Sequence, residues 1–487
     1  MNRFFLIFYI LGLLGCSVVL AEESIFRVRL VEDLGTLDWG YGEVNAQVVD
    51  QLMEGLTFVD RRGNATPAVA RKWVSTGNIT QFFLRSDAKW SDGRRVCAED
   101  FEIAWQRIRE AQIVSPYSHL FKDIQAVRAK SCEKLEVETK TPLSYLPELL
   151  SHWVFYPVQK NSYQKQRDKF FEPENLISNG PYKIKKWHKD SRYVLEKNEY
   201  YFAEKARPLL LEFLVVSDDQ TALTLYKAGK IDWLKDPPIL SRDQIVRSEG
   251  FRVFPTAVGY HLGFSFLENK KSFDRNARCA ISKAIDVTKI PKILFGTEIP
   301  SHTFVPPQFK MEKANNRFSK ADAQMLWSKS THPEIIEISY YAKQIHETLM
   351  QWIQAELAKN LNTKVVLNKM ESKTYWSELA NRSPSVFLSG TTAYFSHAAA
   401  FLDEMRTESP ANWGKYSNKN YDRIVDSIKK SNFKRELIAQ ADRTLVHDDC
   451  SVIPLYFRPT ALLLKPRWIN FELNPLARVQ LKKVRSR

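Results

Sequence analysis

Between Leu52 and Trp105 the chain reads LMEGLTFVDRRGNATPAVARKWVSTGNITQFFLRSDAKWSDGRRVCAEDFEIAW. Asp60 and Gly63 mark a turn, and Gln81 to Arg85 alternates as a strand. Lys89-Trp90-Ser91-Asp92-Gly93 is a turn-rich run. Asp100 then opens an amphipathic helix through Phe101, Ala104, Trp105 and Ile108. The stretch holds no catalytic nucleophile, metal cluster or phosphate loop, so it reads as framework.

The words in this stretch are Glu54-Gly55-Leu56, Asp60 with Gly63, Pro67 to Trp73, Phe83-Leu84-Arg85, Lys89 to Gly93, and Ala98 to Phe101 before Trp105. Their order resembles the extracytoplasmic solute-binding proteins of the oligopeptide/dipeptide/nickel class, which serve ABC importers. One such word is weak, but six in order are specific. The resemblance continues through Thr36-Leu37-Asp38, with Trp39 where proline is usual, and Asn179-Gly180-Pro181-Tyr182. Further on it takes in Gly229-Lys230-Ile231-Asp232, Gly259 to Phe264, Arg278 to Asp286, Pro306-Pro307, Tyr416-Ser417-Asn418 and Ile453 to Tyr456. It implies an α/β, two-lobed periplasmic binding protein of type II, peptide-binding class, with an extra subdomain in the first lobe and a hinge between lobes. On that pattern 22–51, 178–258 and 456–487 form the first lobe, 52–177 the inserted subdomain and 259–455 the second lobe. The hinge is expected near 256–263 and 452–456.

Ile25 to Leu30 alternates, with Ile25, Arg27 and Arg29 expected outward, and a helix is expected up to about Met53 with Val44, Val48 and Leu52 on one face. Before it, Asn2-Arg3 leads into an apolar run from Phe4 to Leu14, and Val19-Leu20-Ala21 suits cleavage of a signal peptide spanning 1–21. Leu13-Leu14-Gly15-Cys16 offers a second reading, a lipobox that would anchor Cys16. Simple cleavage is favoured because Leu14 is unusual before Gly-Cys. Export to the periplasm is expected on either reading.

The chain has 487 residues, more than one core usually serves. Its formal charge of +15 is scattered among acids, with no basic arm, so no nucleic-acid partner is expected. Lys482, Lys483, Arg485 and Arg487 are read as a solvated tail. Apart from Cys16, the cysteines are Cys97, Cys132, Cys279 and Cys450, spaced unlike any zinc site. Export permits disulfides, and Cys97 with Cys132 is the first pairing to test because both fall in one expected domain. Buried free thiols are the competing reading.

The resemblance also implies a ligand enclosed between lobes and passed to an inner-membrane permease, by a monomer without a cofactor. Asp33, Tyr117 and His346 match cleft positions, His346 at a peptide's carboxyl end. Read alone, Asp33 is equally a turn residue, Tyr117 a packing residue and His346 a helix histidine. Relatives of this type place an Asp before Phe-Leu to pair with a peptide ammonium, and here that place falls on Tyr394. A cleft arginine falls on Leu388, an aromatic on Thr391, and Thr392 adjoins it. Asp403 or Glu404 are the substitutes for the missing carboxylate. Modified or non-peptide ligands (a metal chelate, a haem-like compound, a sugar, a cell-wall fragment) and a sensory role therefore stay open. An enzyme is not expected: His346-Glu347-Thr348-Leu349-Met350 starts like a zinc-protease word but lacks its second histidine, and no metal site is implied.

Overall fold

The computed structural model describes residues 25–40, 46–203, 208–238, 241–267, 273–294, 296–309, 315–431 and 434–487. The expected signal peptide, Cys16 and Val44 lie outside the described residues. Two large mixed sheets organise the chain. The first runs Phe251–Phe254, Thr460–Leu464, Trp233–Lys235, Ile25–Leu30, Leu210–Val215, Arg192–Lys197, Tyr182–His188. Ile25–Leu30 pairs in parallel with both of its neighbours. The second runs Ile299–Pro300, Val452–Phe457, Val258–Phe264, Val386–Thr392, Ile335–Tyr341, Lys364–Met370, its last three strands parallel.

A separate four-stranded antiparallel sheet lies in the segment between the first strands of the first sheet. Its order is Ala70–Thr76, Ile79–Leu84, Lys134–Thr139, Ile124–Ser131. The helix Ala98–Arg109 packs Phe101, Ala104, Trp105 and Ile108 inward, four residues that follow the helical period. Asp100 fixes its start: the carboxylate accepts from Trp90 Nε1 at 3.0 Å, Cys97 N at 2.9 Å and Lys160 N at 2.8 Å. Gly180 is required for a different reason, since a Cβ there would stand 2.6 Å from the Leu52 carbonyl carbon. The Asn-Gly-Pro-Tyr word thus marks a close backbone approach between two distant segments.

Both cysteine pairs are disulfides, Cys97–Cys132 and Cys279–Cys450. The first ties the helix start to a sheet turn. The second ties the helix Arg275–Ala284 to the approach of the strand Val452–Phe457.

Two expectations are corrected. Arg29 is buried, because its guanidinium donates to the carbonyls of Val216 and Ser217 and to Asp219, satisfying the charge inside the sheet edge. The C-terminal segment is packed: Lys482 bonds Glu54 and Tyr201, Val484 is fully buried and Trp468–Ile469 pairs with Arg485–Ser486.

The chain passes between the two large sheets twice, at 255–257 and 458–459. The crossings lie side by side: Thr256 Oγ1 donates to the Arg458 carbonyl at 2.8 Å, and Arg458 N to the Val258 carbonyl at 2.9 Å. The spans 256–263 and 452–456 therefore fall mostly on paired strands of the second sheet, just beyond the crossings. One core runs from the first sheet and small sheet into 393–446, and a second fills the body behind the second sheet.

Candidate functional site

A cavity of about 770 Å³ opens between the two sheets beside the crossings. This size falls within the ~300–1,000 Å³ usual for small-ligand sites. Its walls come from three places. The first-sheet side contributes Arg29, Glu32, Lys235, Asp236 and Asp219; the second-sheet body contributes Glu298, Lys343, Gln344 and Ile345. Trp153, Arg458 and Arg478 complete it. Glu32, Lys235 and Lys343 sit at or within two residues of the C-terminal ends of parallel strands, the usual ligand edge of such sheets.

Most charges on the wall have a partner. Arg29 meets Asp219 at 2.7 Å, and Arg458 meets Asp236 at 2.9 Å. Arg478 is buried: Nε donates to Asp50 at 2.7 Å, Nη2 to Asp50 at 2.8 Å, and Nη1 to the Ser151 carbonyl at 2.6 Å. Glu298 accepts from the amides of Gly296 and Thr297.

The expected site residues distribute unevenly. Tyr117 is buried against His152 and Trp153, with its ring centroid 6.4 Å from that of Tyr394. Tyr394, 38% exposed, also faces His119 and His152, so Tyr117 and Tyr394 are brought together in an aromatic group that reaches the cavity through Trp153. Burial, followed by the charges of Arg478 and His119, holds the His152 imidazole well below its usual pKa. His346 is buried next to Lys343, its ring 5.4 Å from Tyr260 and 4.4 Å from Tyr341. Burial pushes its pKa down to about 4, leaving it uncharged at neutral pH. Glu347 pairs with Lys369 at 2.8 Å.

None of the seven expected positions is itself in the cavity wall. Asp33 accepts from Asp190 N at 3.1 Å, and its neighbour Glu32 stands on the wall instead. Leu388 is fully buried in the core behind the second sheet. Thr391 donates to Glu404 at 2.7 Å, and Thr392 is an exposed residue at the strand end. Glu404 is enclosed, its pKa raised to about 8 by burial. Asp403 is engaged by Lys429 at 3.0 Å and Lys122 at 3.3 Å. The two substitutes for a missing carboxylate are thus held elsewhere. Sequence reasoning missed Glu32, Lys235 and Lys343, whose only signal was a charge at the end of a strand.

Residues 64–413 match the bacterial extracellular solute-binding proteins, family 5 Middle. The chain belongs to this family. Its members are non-catalytic substrate-binding proteins. Over 93% of its length the chain is 28% identical to the probable deoxycholate-binding periplasmic protein YgiS of Escherichia coli, covering 92% of that protein. It is also 28% identical to the periplasmic oligopeptide-binding protein OppA of Salmonella typhimurium, covering 88% of this chain and 86% of the relative. The unliganded open form of the murein tripeptide-binding protein MppA superposes with a TM-score of 0.83 at 24% identity, over 96% of this chain and 98% of that one. OppA of Haemophilus influenzae in complex with RPPGFSPFR gives 0.77 at 22%, over 96% and 99%. The family's α/β fold is therefore shared over nearly the whole chain, and no described helix is long and apolar enough to cross a membrane.

Proposed function

We propose that this protein captures a short peptide or peptide-like ligand in the periplasm and delivers it to an ABC-type permease of the inner membrane. The observation that carries this reading is the 770 Å³ cavity whose charged walls come from both sheets, beside two adjacent crossings. Segments 22–51, 178–258 and 456–487 act as one lobe with 52–177 attached, and 259–455 as the other. Rotation about the crossings closes the lobes, buries the ligand and creates the shape the permease recognises. Both disulfides fit an oxidising compartment, and both full-length relatives above are named as periplasmic.

A second reading, a non-peptide ligand, draws on Tyr394. An aromatic side chain stands where a carboxylate is expected, and one relative is named for a bile acid rather than a peptide. Native mass spectrometry of protein purified from its own host, followed by denaturing release, tests both. Peptides of mixed sequence support the first reading; one defined non-peptide compound supports the second.

A further inference from the structure

If the ligand is a peptide, its α-ammonium needs a carboxylate inside the closed cleft, because a desolvated charge without a partner is strongly unfavourable. The neighbourhood of Tyr394 cannot supply it. Asp403 is occupied by Lys429 and Lys122, and Glu404 is enclosed against Thr391. The nearby Asp50 carboxylate is taken up by Arg478, whose guanidinium stands 5.9 Å from the Trp153 ring.

Most charges on the cavity wall are already engaged. Arg29, Arg458 and Arg478 are each neutralised by a carboxylate, and Glu298 is satisfied by backbone amides. Among the described residues, the side chains of Glu32, Lys235 and Lys343 on the wall have neither an ion pair nor a hydrogen bond. The parallel register Val28↔Trp233 sets Leu30 level with Lys235, so Glu32 leaves the first sheet two residues further along the same edge. Lys343 comes from the opposite side, just beyond the strand Ile335–Tyr341. Lys343 and Arg458 both act on His346 electrostatically, and Arg458 holds Asp236, the neighbour of Lys235. The two lysines therefore belong to one end of the cleft, near the crossings.

We propose that Glu32 takes the ligand's free ammonium and that Lys343, with Lys235, takes its carboxylate. This assignment rests on the peptide reading above. It moves recognition of the ammonium from the 394 position on the second lobe to a loop of the first. Because Glu32 and Lys343 lie on opposite lobes, a ligand bound by both bridges the cleft, and each terminus favours the closed form. Tyr394 and its aromatic neighbours are left for an apolar part of the ligand.

The test uses the full mature protein and a mixed-sequence library of peptides two to five residues long, supplied free, N-acetylated or C-amidated, with binding measured by calorimetry. The wild type is expected to prefer free peptides over both blocked forms by roughly ten- to hundredfold. Glu32→Gln is expected to abolish the preference against acetylation and keep that against amidation, with Glu32→Asp retaining part of it. Lys343→Met combined with Lys235→Met is expected to do the reverse. All three side chains are at least partly exposed and, among the described residues, unpaired, so unchanged thermal unfolding checks the fold of each variant. Peptide binding with both preferences intact in the variants overturns the assignment alone. No binding of any peptide form overturns the peptide reading, and the assignment with it.

Discussion

Arg478 shows how one side chain joins distant segments. It lies beside Asp50 and Tyr156, each buried, and the side chains of Arg478 and Asp50 are each 2% exposed. Replacing it with Met would leave the Asp50 carboxylate buried without a counter-charge, at a cost of ~3–5 kcal/mol. Urea unfolding of Arg478→Met should show that loss, and adding Asp50→Asn should recover much of it. Asp442 makes a different prediction. It is buried and accepts from Phe304 N and Val305 N at 2.8 Å each; burial raises its pKa to about 7, against the opposing effects of those amides and Arg317. In the unfolded chain it titrates near 3.9. Between these values the folded state holds a proton that the unfolded state has lost, so stability falls as pH rises from about 4 to 7. Asp442→Asn keeps the acceptor oxygen and removes the titration. Relative to wild type it should gain roughly 2–4 kcal/mol across that range in unfolding titrations at pH 4.5 and 7.5, and parallel curves would refute the assignment.

At the scale of elements, the two disulfides restrain very different loops. Cys97 and Cys132 are 35 residues apart, Cys279 and Cys450 are 171 apart. The chain-entropy estimate gives about 4 and about 5 kcal/mol. Paired Ser substitutions should each lower unfolding stability in denaturant, with the Cys279/Cys450 pair costing more, and reductant should reproduce the loss in wild type. These bridges also show what the sequence made legible. The strand Ile25–Leu30, Arg29 apart, and the helix Ala98–Arg109 follow local periodicity, and Gly180 and Asp100 meet needs set by nearby backbone. The cavity wall is not local. Glu32, Lys235 and Lys343 belong to strand ends more than a hundred residues apart: the order of the first sheet sets Glu32 near Lys235, and Lys343 faces them from the second sheet. Leu388 illustrates the converse: counting positions along a strand shifts a side chain from one face to the other with each residue. Leu388 points into the core.

Across the whole molecule, the segment 122–145 meets 395–429 directly. Lys122 pairs with Asp403 at 3.3 Å, and Asp123 with Lys429 at 3.5 Å. Ser144 N donates to the Lys429 carbonyl at 3.2 Å, and the Tyr145 ring stacks on Phe395 and His397. On the two-lobe reading proposed above these contacts hold 52–177 against 259–455, and loosening them is expected to let the ligand-free protein open further. Lys122 is about half exposed, which limits its share to roughly 0–1 kcal/mol, whereas Lys429 is buried and depends on both aspartates. Asp403→Asn should therefore raise the radius of gyration of the ligand-free protein in small-angle scattering, and added salt should do the same to the wild type. A smaller closed fraction lowers apparent affinity in proportion, by roughly two- to fivefold for a shift of this size. Scattering curves that coincide for variant and wild type, with and without salt, would place the control of closure at the crossings, where Thr256 and Arg458 are joined.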